Sequence, residues 1–519
     1  MRILFYILSL LLICHPALWA ADVYIDLDWT GTESGTFAQP YNSVTDLTPS
    51  ASDDYYFRCG SSETLSSTFL VTATGNSEAD PITFSAYYDS GGEPPGTAPT
   101  GTAVHEDDSP TFGSLCGNGA QKPILKWSLG TGLLFNTNAG GSQYLEINSI
   151  QFHDANEGMY IKSNYNDVRY CRFYNLYWGI RVGIASDGDY NMIEHNDFDL
   201  NDSVDEDGNG VDPIKLQNFA QNNTIQYNRI TSFDHIGILA TGDNNIIQYN
   251  YIFGDLGYED VCIGTNPQGD SNIWRYNYCK QAGVGFQGGG GDSNEVYGNI
   301  FDCGGIDTTA YGCIHFYSGA THTNRYNRVY NNVIYDHDDV SNSEGIKFYS
   351  GGSSQGAQEG NEFTNNIILK VGNRCFFTAD NSTPASIGDN YYWNNSCYQY
   401  GTNTYSSIET VADQNAADFN SGFAFASGNL DTDPGLNNPA SGEFWPSSSG
   451  AAVVGAGCDM NKLGEVCRDA GYTANENILD PDTTTLTSRI FGHESQPASW
   501  FIGPYGYEST TGSWIIIIN

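Results

Sequence analysis

The sequence predicts an all-β solenoid, a stack of short strands wound into coils, and three observations carry that prediction. The first is a phrase repeated between about Gln143 and Asn395: an apolar residue, two residues, Asn, one residue, another apolar residue. It reads Leu145-Glu-Ile-Asn148-Ser-Ile150, Ile225-Gln-Tyr-Asn228-Arg-Ile230, Ile247-Gln-Tyr-Asn250-Tyr-Ile252, Ile273-Trp-Arg-Tyr-Asn277 and Val296-Tyr-Gly-Asn299-Ile-Phe301. It continues as Val329-Tyr-Asn-Asn332-Val-Ile334, Phe363-Thr-Asn-Asn366-Ile-Ile368 and Tyr392-Trp-Asn-Asn395. The second observation is the spacing. From Asn228 onward the Asn steps are 22, 27, 22, 33, 34 and 29 residues, a short period with longer members whose extra residues belong in loops. The third is a second half to each copy, in segments such as Gly179-Ile-Arg-Val, Gly237-Ile-Leu-Ala, Gly283-Val-Gly-Phe, Ile314-His-Phe-Tyr and Gly345-Ile-Lys-Phe-Tyr. These alternate apolar with other residues, the period of a strand. Three short strands in 22 residues leave no room for a helix.

One Asn at the same corner of every coil is expected to stack along the axis and satisfy backbone groups at a tight turn. The repeated phrases resemble the right-handed parallel β-helix proteins of the pectate-lyase-like superfamily, over about half of the chain. The resemblance implies a right-handed parallel β-helix and a carbohydrate-active enzyme; the scaffold carries many chemistries and does not select one.

Taken in order, Met1 to about Ala20 reads as an export signal: Arg2, an apolar run from Leu4 to Ile13, and Ala17-Leu-Trp-Ala20 at the cut. The run is too short to span a bilayer, and no later segment is long enough. The mature chain is therefore expected to be secreted, extracellular or periplasmic, and monomeric. Residues 21–142 are strand-rich without a clear period and are expected to cover the open end of the solenoid. The stretch from Ser90 to Ala120, rich in Gly, Pro and Thr, reads as a long loop. The core is placed at 143–400. Residues 401–519 are a closing segment of the same domain, marked by Leu430-Asp-Thr-Asp-Pro-Gly-Leu and by Pro446 to Gly457.

Charge narrows the partners. With 20 Lys and Arg against 61 Asp and Glu the formal net charge is −41, and removing the leader takes away Arg2 as well. Long-range repulsion makes nucleic acid and anionic membranes poor partners. An aromatic content of 13% suits carbohydrate surfaces, although tyrosines also fill strand faces and coil corners. Twelve cysteines, of which Cys14 lies in the leader, leave an odd number in the mature chain. Sequence proximity points first to Cys458–Cys467 and Cys303–Cys313, then to Cys59–Cys116. No Cys-x-x-Cys spacing suggests a zinc site.

Outward positions of the Gly-Ile-x-Val strands form columns about 4.8 Å apart from coil to coil. One column reads Tyr160, Arg181, Lys215, Leu239, Cys262, Gly285, His315, Lys347 and Phe376; the next reads Lys162, Gly183, Gln217, Thr241, Gly264, Gln287, Tyr317, Tyr349 and Thr378. Finding Lys162, Arg181, Lys215 and Lys347 on one face of so acidic a chain marks it as the candidate site. Two clusters emerge. One holds Arg181 and Lys215, with Asp234 and His235 entering the next coil. The other holds His315, Tyr317, Lys347 and Tyr349. Four coils, roughly 19 Å, separate Lys215 from His315, so one reaction centre cannot use both. Gln287 and the edge carboxylate Asp260 lie between them.

The acidic loop Asn201–Asp212 contains Asp205-x-Asp207-x-Asn209-Gly, the first half of an oxygen-ligand calcium loop, with Asp212 or Asp202 needed to complete the shell. Position 12 is Leu216 in place of a bidentate Glu, a departure from that pattern. Such parts suit a uronate polysaccharide lyase, in which Lys or Arg removes the proton alpha to a carboxylate neutralised by Ca2+ or a second cation. They also leave room for a glycoside hydrolase with paired carboxylates, drawn from Asp212, Asp234, Glu259 and Asp260, and for a non-catalytic glycan-binding helix. The catalytic series of the polygalacturonases is absent, and Gly345-Ile-Lys347 is only a fragment of it.

Overall fold

The computed structural model describes residues 21–369 except 52, 90–95, 98–102, 105–113, 117–118, 129–131, 139–140, 184–187, 201–210, 255–260, 266–267, 304–311, 319–322, 337–343, 351–359 and 365; beyond 369 it describes short strands such as Arg374–Thr378 and Tyr391–Trp393. The expected leader, the Cys458–Cys467 pair and most of the closing segment lie outside the described residues.

Each coil is built from three strands, and strands of successive coils pair in parallel to make three long sheets, the arrangement of a right-handed parallel β-helix. A representative coil runs through Met192–Glu194 in sheet 1, Asp197–Asp199 in sheet 2 and Asp212–Leu216 in sheet 3. The next repeats this as Thr224–Gln226, Arg229–Thr231 and Ile236–Ala240. Gln151–Ile161 and Arg172–Val182 each run through sheets 2 and 3 without a break.

The core follows from period-two alternation, with one inward column per sheet. Sheet 1 contributes Ile193, Ile225, Ile247, Trp274, Val296, Val329 and Phe363 in register. Sheet 2 opens with Phe152, Phe173 and Phe198, stacked at centroid distances of 5.2 and 4.7 Å. Sheet 3 contributes Met159, Ile180, Ile214, Ile238, Ile263, Phe286, Ile314 and Ile346. All belong to one continuous buried cluster.

Sequence analysis expected one Asn stack; the structure has two, at both ends of sheet 1. In the first, each carboxamide donates to the next: Asn196 to Asn228 at 3.1 Å, and Asn228 to Asn250, Asn250 to Asn277, Asn277 to Asn299, Asn299 to Asn332 and Asn332 to Asn366 each at 3.0 Å. The second runs Asn166, Asn191, Asn223, Asn245 and Asn272 by side chains, at 2.9–3.1 Å. It continues to Asn294, Asn327 and Asn361 through backbone donors. Asn148 is not a member. It pairs with Arg169, two residues short of the ladder position that Cys171 occupies. The residue before every ladder Asn up to Asn361 turns the corner with positive φ, as Tyr227 (56°), Tyr249 (57°) and Tyr276 (58°) do. A buried carboxamide that both donates and accepts there removes the penalty of unpaired backbone groups.

The segment expected to cover the end is itself built as coils. Asp22–Ile25 pairs with Asp54–Arg58, which pairs with Ile82–Asp89, which pairs with Leu145–Asn148, all in parallel. Disulfides join Cys59 to Cys116 and Cys303 to Cys313, as expected, and also Cys262 to Cys279; Cys171 is buried and free. Three disulfides fit an oxidising compartment. Among the described residues no helix is long and apolar enough to cross a membrane.

Candidate functional site

Sheet 3 repeats a four-residue unit: an outward residue, a small residue at the bend, an inward apolar residue and a second outward residue. Successive units are Glu157-Gly-Met-Tyr160, Trp178-Gly-Ile-Arg181, Asp212-Pro-Ile-Lys215, Ile236-Gly-Ile-Leu239, Val261-Cys-Ile-Gly264, Val284-Gly-Phe-Gln287, Gly312-Cys-Ile-His315 and Glu344-Gly-Ile-Lys347. Where the bend residue is glycine there is no space for a side chain. A Cβ on Gly237 would lie 2.7 Å from the Cys262 carbonyl and 2.9 Å from Ile252, and one on Gly285 would lie 2.4 Å from Phe301. Where the bend carries Cys262 instead, its sheet-2 neighbour in the place of Ile252 is Cys279, and the two are bonded.

Register corrects the expected column. The structure aligns Tyr160, Arg181, Lys215, Leu239, Gly264, Gln287, His315, Lys347 and Phe377. Cys262 and Gly285 are therefore not in it; Gly264 and Gln287, two residues along, take their places. Phe376 aligns with core Ile346. The physical reason is the unbroken apolar run Val261-Cys-Ile263, whose alternation defines no frame until the bend residue turns inward to its disulfide.

In the first cluster Lys215 and His235 meet on one carboxylate, with Arg181 beside Lys215 in register. Asp212 is fully buried. Its Oδ2 accepts from Lys215 Nζ at 2.9 Å and its Oδ1 from His235 Nδ1 at 2.7 Å, while the Lys215 and His235 side chains stay 26% and 28% exposed. An ionised carboxylate only accepts, so Nδ1 is the donor, and in the neutral ring the lone pair is then on Nε2. One coil away, Arg181 Nη2 donates to both oxygens of Glu157, at 2.8 and 2.7 Å. Burial holds the Glu157 carboxyl above its ordinary pKa although Arg181 opposes the shift. Cations and rings interleave. Arg181 sits 3.9 Å from the Tyr160 centroid and 4.7 Å from Trp178, Lys162 lies 4.3 Å from Tyr160, and Lys215 lies 5.7 Å from Trp178. Partial burial, with Arg181 beside it, draws Lys162 below its ordinary pKa. Tyr160 Oη donates to Gln217 Oε1 at 3.2 Å.

Glu157 and Trp178 precede the Gly-apolar phrase that marks each unit in the sequence and so carry no signal in that phrase. The partner set stands three positions before the second outward residue of each unit: Glu157 before Tyr160, Trp178 before Arg181, Asp212 before Lys215 and Glu344 before Lys347.

In the second cluster the histidine and the lysine are buried. His315 and Lys347 are 1% and 3% exposed, and Lys347 Nζ pairs with the equally buried Glu344 at 3.1 Å. Burial, reinforced by Lys347, draws the His315 imidazole down to about 3. Tyr317 is exposed and lies 6.2 Å, ring to ring, from His315. Gln287 adjoins His315 in register and is half-buried. Between the clusters Ile236, Leu239, Val261 and Val284 form a buried apolar group of their own, outside the main core. Asp205, Asp207, Asn209, Asp260 and the Tyr349 side chain lie outside the described residues. Among those described, no group of three or more His, Cys, Asp or Glu is arranged to hold a metal ion, and both Asp212 oxygens are engaged by Lys215 and His235.

No family model and no curated protein matches the chain. Among solved structures, a PL6 family polysaccharide lyase from Pseudopedobacter saltans is 14% identical with a TM-score of 0.49, covering 78% of this chain and 96% of its own. The PL6 family alginate lyase AlyGC is 13% identical, TM-score 0.43, covering 91% and 60%. A GH136 lacto-N-biosidase from Eubacterium ramulus is 9% identical, TM-score 0.43, covering 79% and 67%. At these values the chemistry of the chain rests on its own residues.

Proposed function

We propose that this protein is a secreted carbohydrate-active enzyme that cleaves a uronate-containing polysaccharide by β-elimination at the Arg181–Lys215–His235 end of sheet 3. One observation carries the reading: a buried carboxylate, Asp212, holds an ammonium and an imidazole side by side on an otherwise strongly acidic molecule. Lys215 Nζ already donates to Asp212 and stands beside Arg181 in register, which suits Lys215 to an electrostatic role. The base role passes to His235, whose tautomer Asp212 sets.

In this reaction the substrate carboxylate lies against Lys215 and Arg181. Nε2 of His235 takes the C5 proton, and the electron pair forms the C4–C5 double bond as the C4–O bond breaks. The imidazolium returns its proton to the leaving oxygen. Charge that develops on the carboxylate as the proton leaves is met by the two cations, the stabilisation that lowers such barriers most. Trp178 and Tyr160 give the sugar rings an apolar support between the charges. Calcium enters only through Asp205, Asp207 and Asn209, and no step above requires it.

The test is ultraviolet absorbance of the unsaturated uronate on alginate, pectate and a glycosaminoglycan, with calcium and with a chelator. Absorbance that His235→Ala abolishes supports the reading. New reducing ends without absorbance transfer the protein to the hydrolases, and neither signal on any of the three polymers overturns cleavage of those uronates.

A further inference from the structure

Sheet 1, the face that the proposed reaction does not use, carries a cavity of about 290 Å³ near the N-terminal end, whose walls include Tyr144, Tyr165, Tyr190, Glu146, Asp167 and Arg169. The three tyrosines occupy one corner of successive coils, with ring centroids 5.2 and 5.1 Å apart and planes within 19° and 4° of parallel. All three have left-handed backbone, φ of 56°, 60° and 57°. The turn does not demand tyrosine. The following coils make the same corner with Asn222, Asn244, Ser271 and Ser293 at φ of 57–60°, and Asn is the better residue in that conformation. Nor do these rings serve the interior. The parallel stack at the opposite end of sheet 1 has Tyr227, Tyr249 and Tyr276 at 2–8% exposure, whereas Tyr165 and Tyr190 are 39% and 51% exposed. Tyr190 ends its stack because the next corner residue is Asn222, so one ring face is left without an aromatic neighbour in the column.

Charged groups stand beside the rings. Arg169 reaches Glu146 at 2.6 Å and Asp167 at 3.6 Å. Asp167 Oδ1 and Arg169 Nε are shielded from solvent and have no hydrogen-bond partner, an arrangement that costs stability unless something else satisfies them. Burial pushes the Asp167 carboxyl up to about 7; Arg169 opposes this while Glu194, Glu146 and Glu78 add to it. One cation among four carboxyl groups repels uronates and sulfates. Hydroxyl pairs, which donate to carboxylates and accept from guanidinium, meet no such penalty, and the C–H face of a pyranose suits an exposed tyrosine ring.

We infer that this corner is a second carbohydrate site, distinct from the sheet-3 site, that takes one or two neutral pyranose residues of a glycan. It is independent of the proposed lyase reaction. A second contact on the same polymer raises the effective concentration of chain at sheet 3 without any new catalytic group.

The experiment is calorimetric titration of the full mature chain with β-1,4-linked glucose, mannose and galactose hexasaccharides and with an oligogalacturonate, for the wild type and for Tyr165→Asn/Tyr190→Asn. The double substitution copies the corner residues Asn222 and Asn244, so the coil keeps its turn; unchanged far-ultraviolet circular dichroism and melting temperature verify this. Saturable binding of a neutral hexasaccharide that weakens about tenfold or more in the variant supports the site. No binding of any neutral hexasaccharide, equal binding by both proteins, or preferential binding of the oligogalacturonate at this corner overturns it.

Discussion

Asp212 Oδ1 accepts from His235 Nδ1 at 2.7 Å, across the step from one coil to the next, and the carboxylate making that bond is fully buried. His235→Ala is therefore expected to lower kcat by about 10²–10⁴-fold with little change in KM, the range for removal of a positioned base. Asp212→Asn keeps the shape and removes the charge; it is expected to lower kcat as well and to move the pH–rate profile, because the ring loses the partner that sets its tautomer. Steady-state kinetics across pH on the active polymer would check both. Equal activity in His235→Ala would remove His235 from the chemistry.

Lys215 and Arg181 are expected to separate in kinetics. Lys215→Met takes away the ammonium nearest His235 and should lower kcat about 10²–10³-fold, as loss of one charge-stabilising donor does. Arg181 is shared with Glu157, so Arg181→Ala should act chiefly on KM, raising it about tenfold. Glu157→Gln tests the sharing directly, since releasing Arg181 from its carboxylate should lower KM for an anionic chain.

Stability is expected to be concentrated in the Asn ladders. Asn250 accepts from Asn228 and donates to Asn277 and to the Ile225 carbonyl, all within the buried corner. Asn250→Ala leaves several of these groups unpaired and should destabilise by about 3 kcal/mol in denaturant unfolding. Asn148→Ala, four coils nearer the N-terminus and off the ladder, should change stability by less than about 0.5 kcal/mol. Comparable losses at both positions would show that the ladder is not what holds the corner.

Acid should weaken the fold through His153. Burial, reinforced by Arg172 and Lys126 and opposed by Asp154, draws its imidazole from the ordinary 6.5 down to about 4. Between those values the unfolded chain binds the proton and the folded chain does not. This contribution is therefore fully present above pH 6.5 and is lost as pH falls toward 4. His153→Phe should flatten the pH dependence of the melting temperature in that window; an unchanged slope would place the acid sensitivity elsewhere.

The disulfide between Cys262 and Cys279 closes a segment with a sequence separation of 17 and replaces a Gly–apolar contact made in the coils on either side. Replacing both cysteines with alanine should cost about 3 kcal/mol by the chain-entropy account, read from unfolding in the absence of reductant.

The sequence by itself determined the solenoid. A coil of three short strands can satisfy its corners only with the same residue type in the same place each time, so Asn228, Asn250, Asn277, Asn299, Asn332 and Asn366 recur in print as they do in space. The second ladder is written five residues before the first, in Asn223-Thr-Ile-Gln-Tyr-Asn228 and its copies, outside the phrase that defines the repeat. Basic residues on sheet 3 were legible because so acidic a chain has few to place. Tertiary structure alone decided their chemistry. Whether Lys347 faces substrate or pairs with Glu344 in a buried site depends on what covers it, and no period in the sequence records cover. Register between coils was likewise undecided wherever a strand is apolar on both faces, as at Val261-Cys-Ile263, since alternation carries no phase there. Asp212 and His235 lie 23 residues apart; only stacking one coil on the next brings them to 2.7 Å.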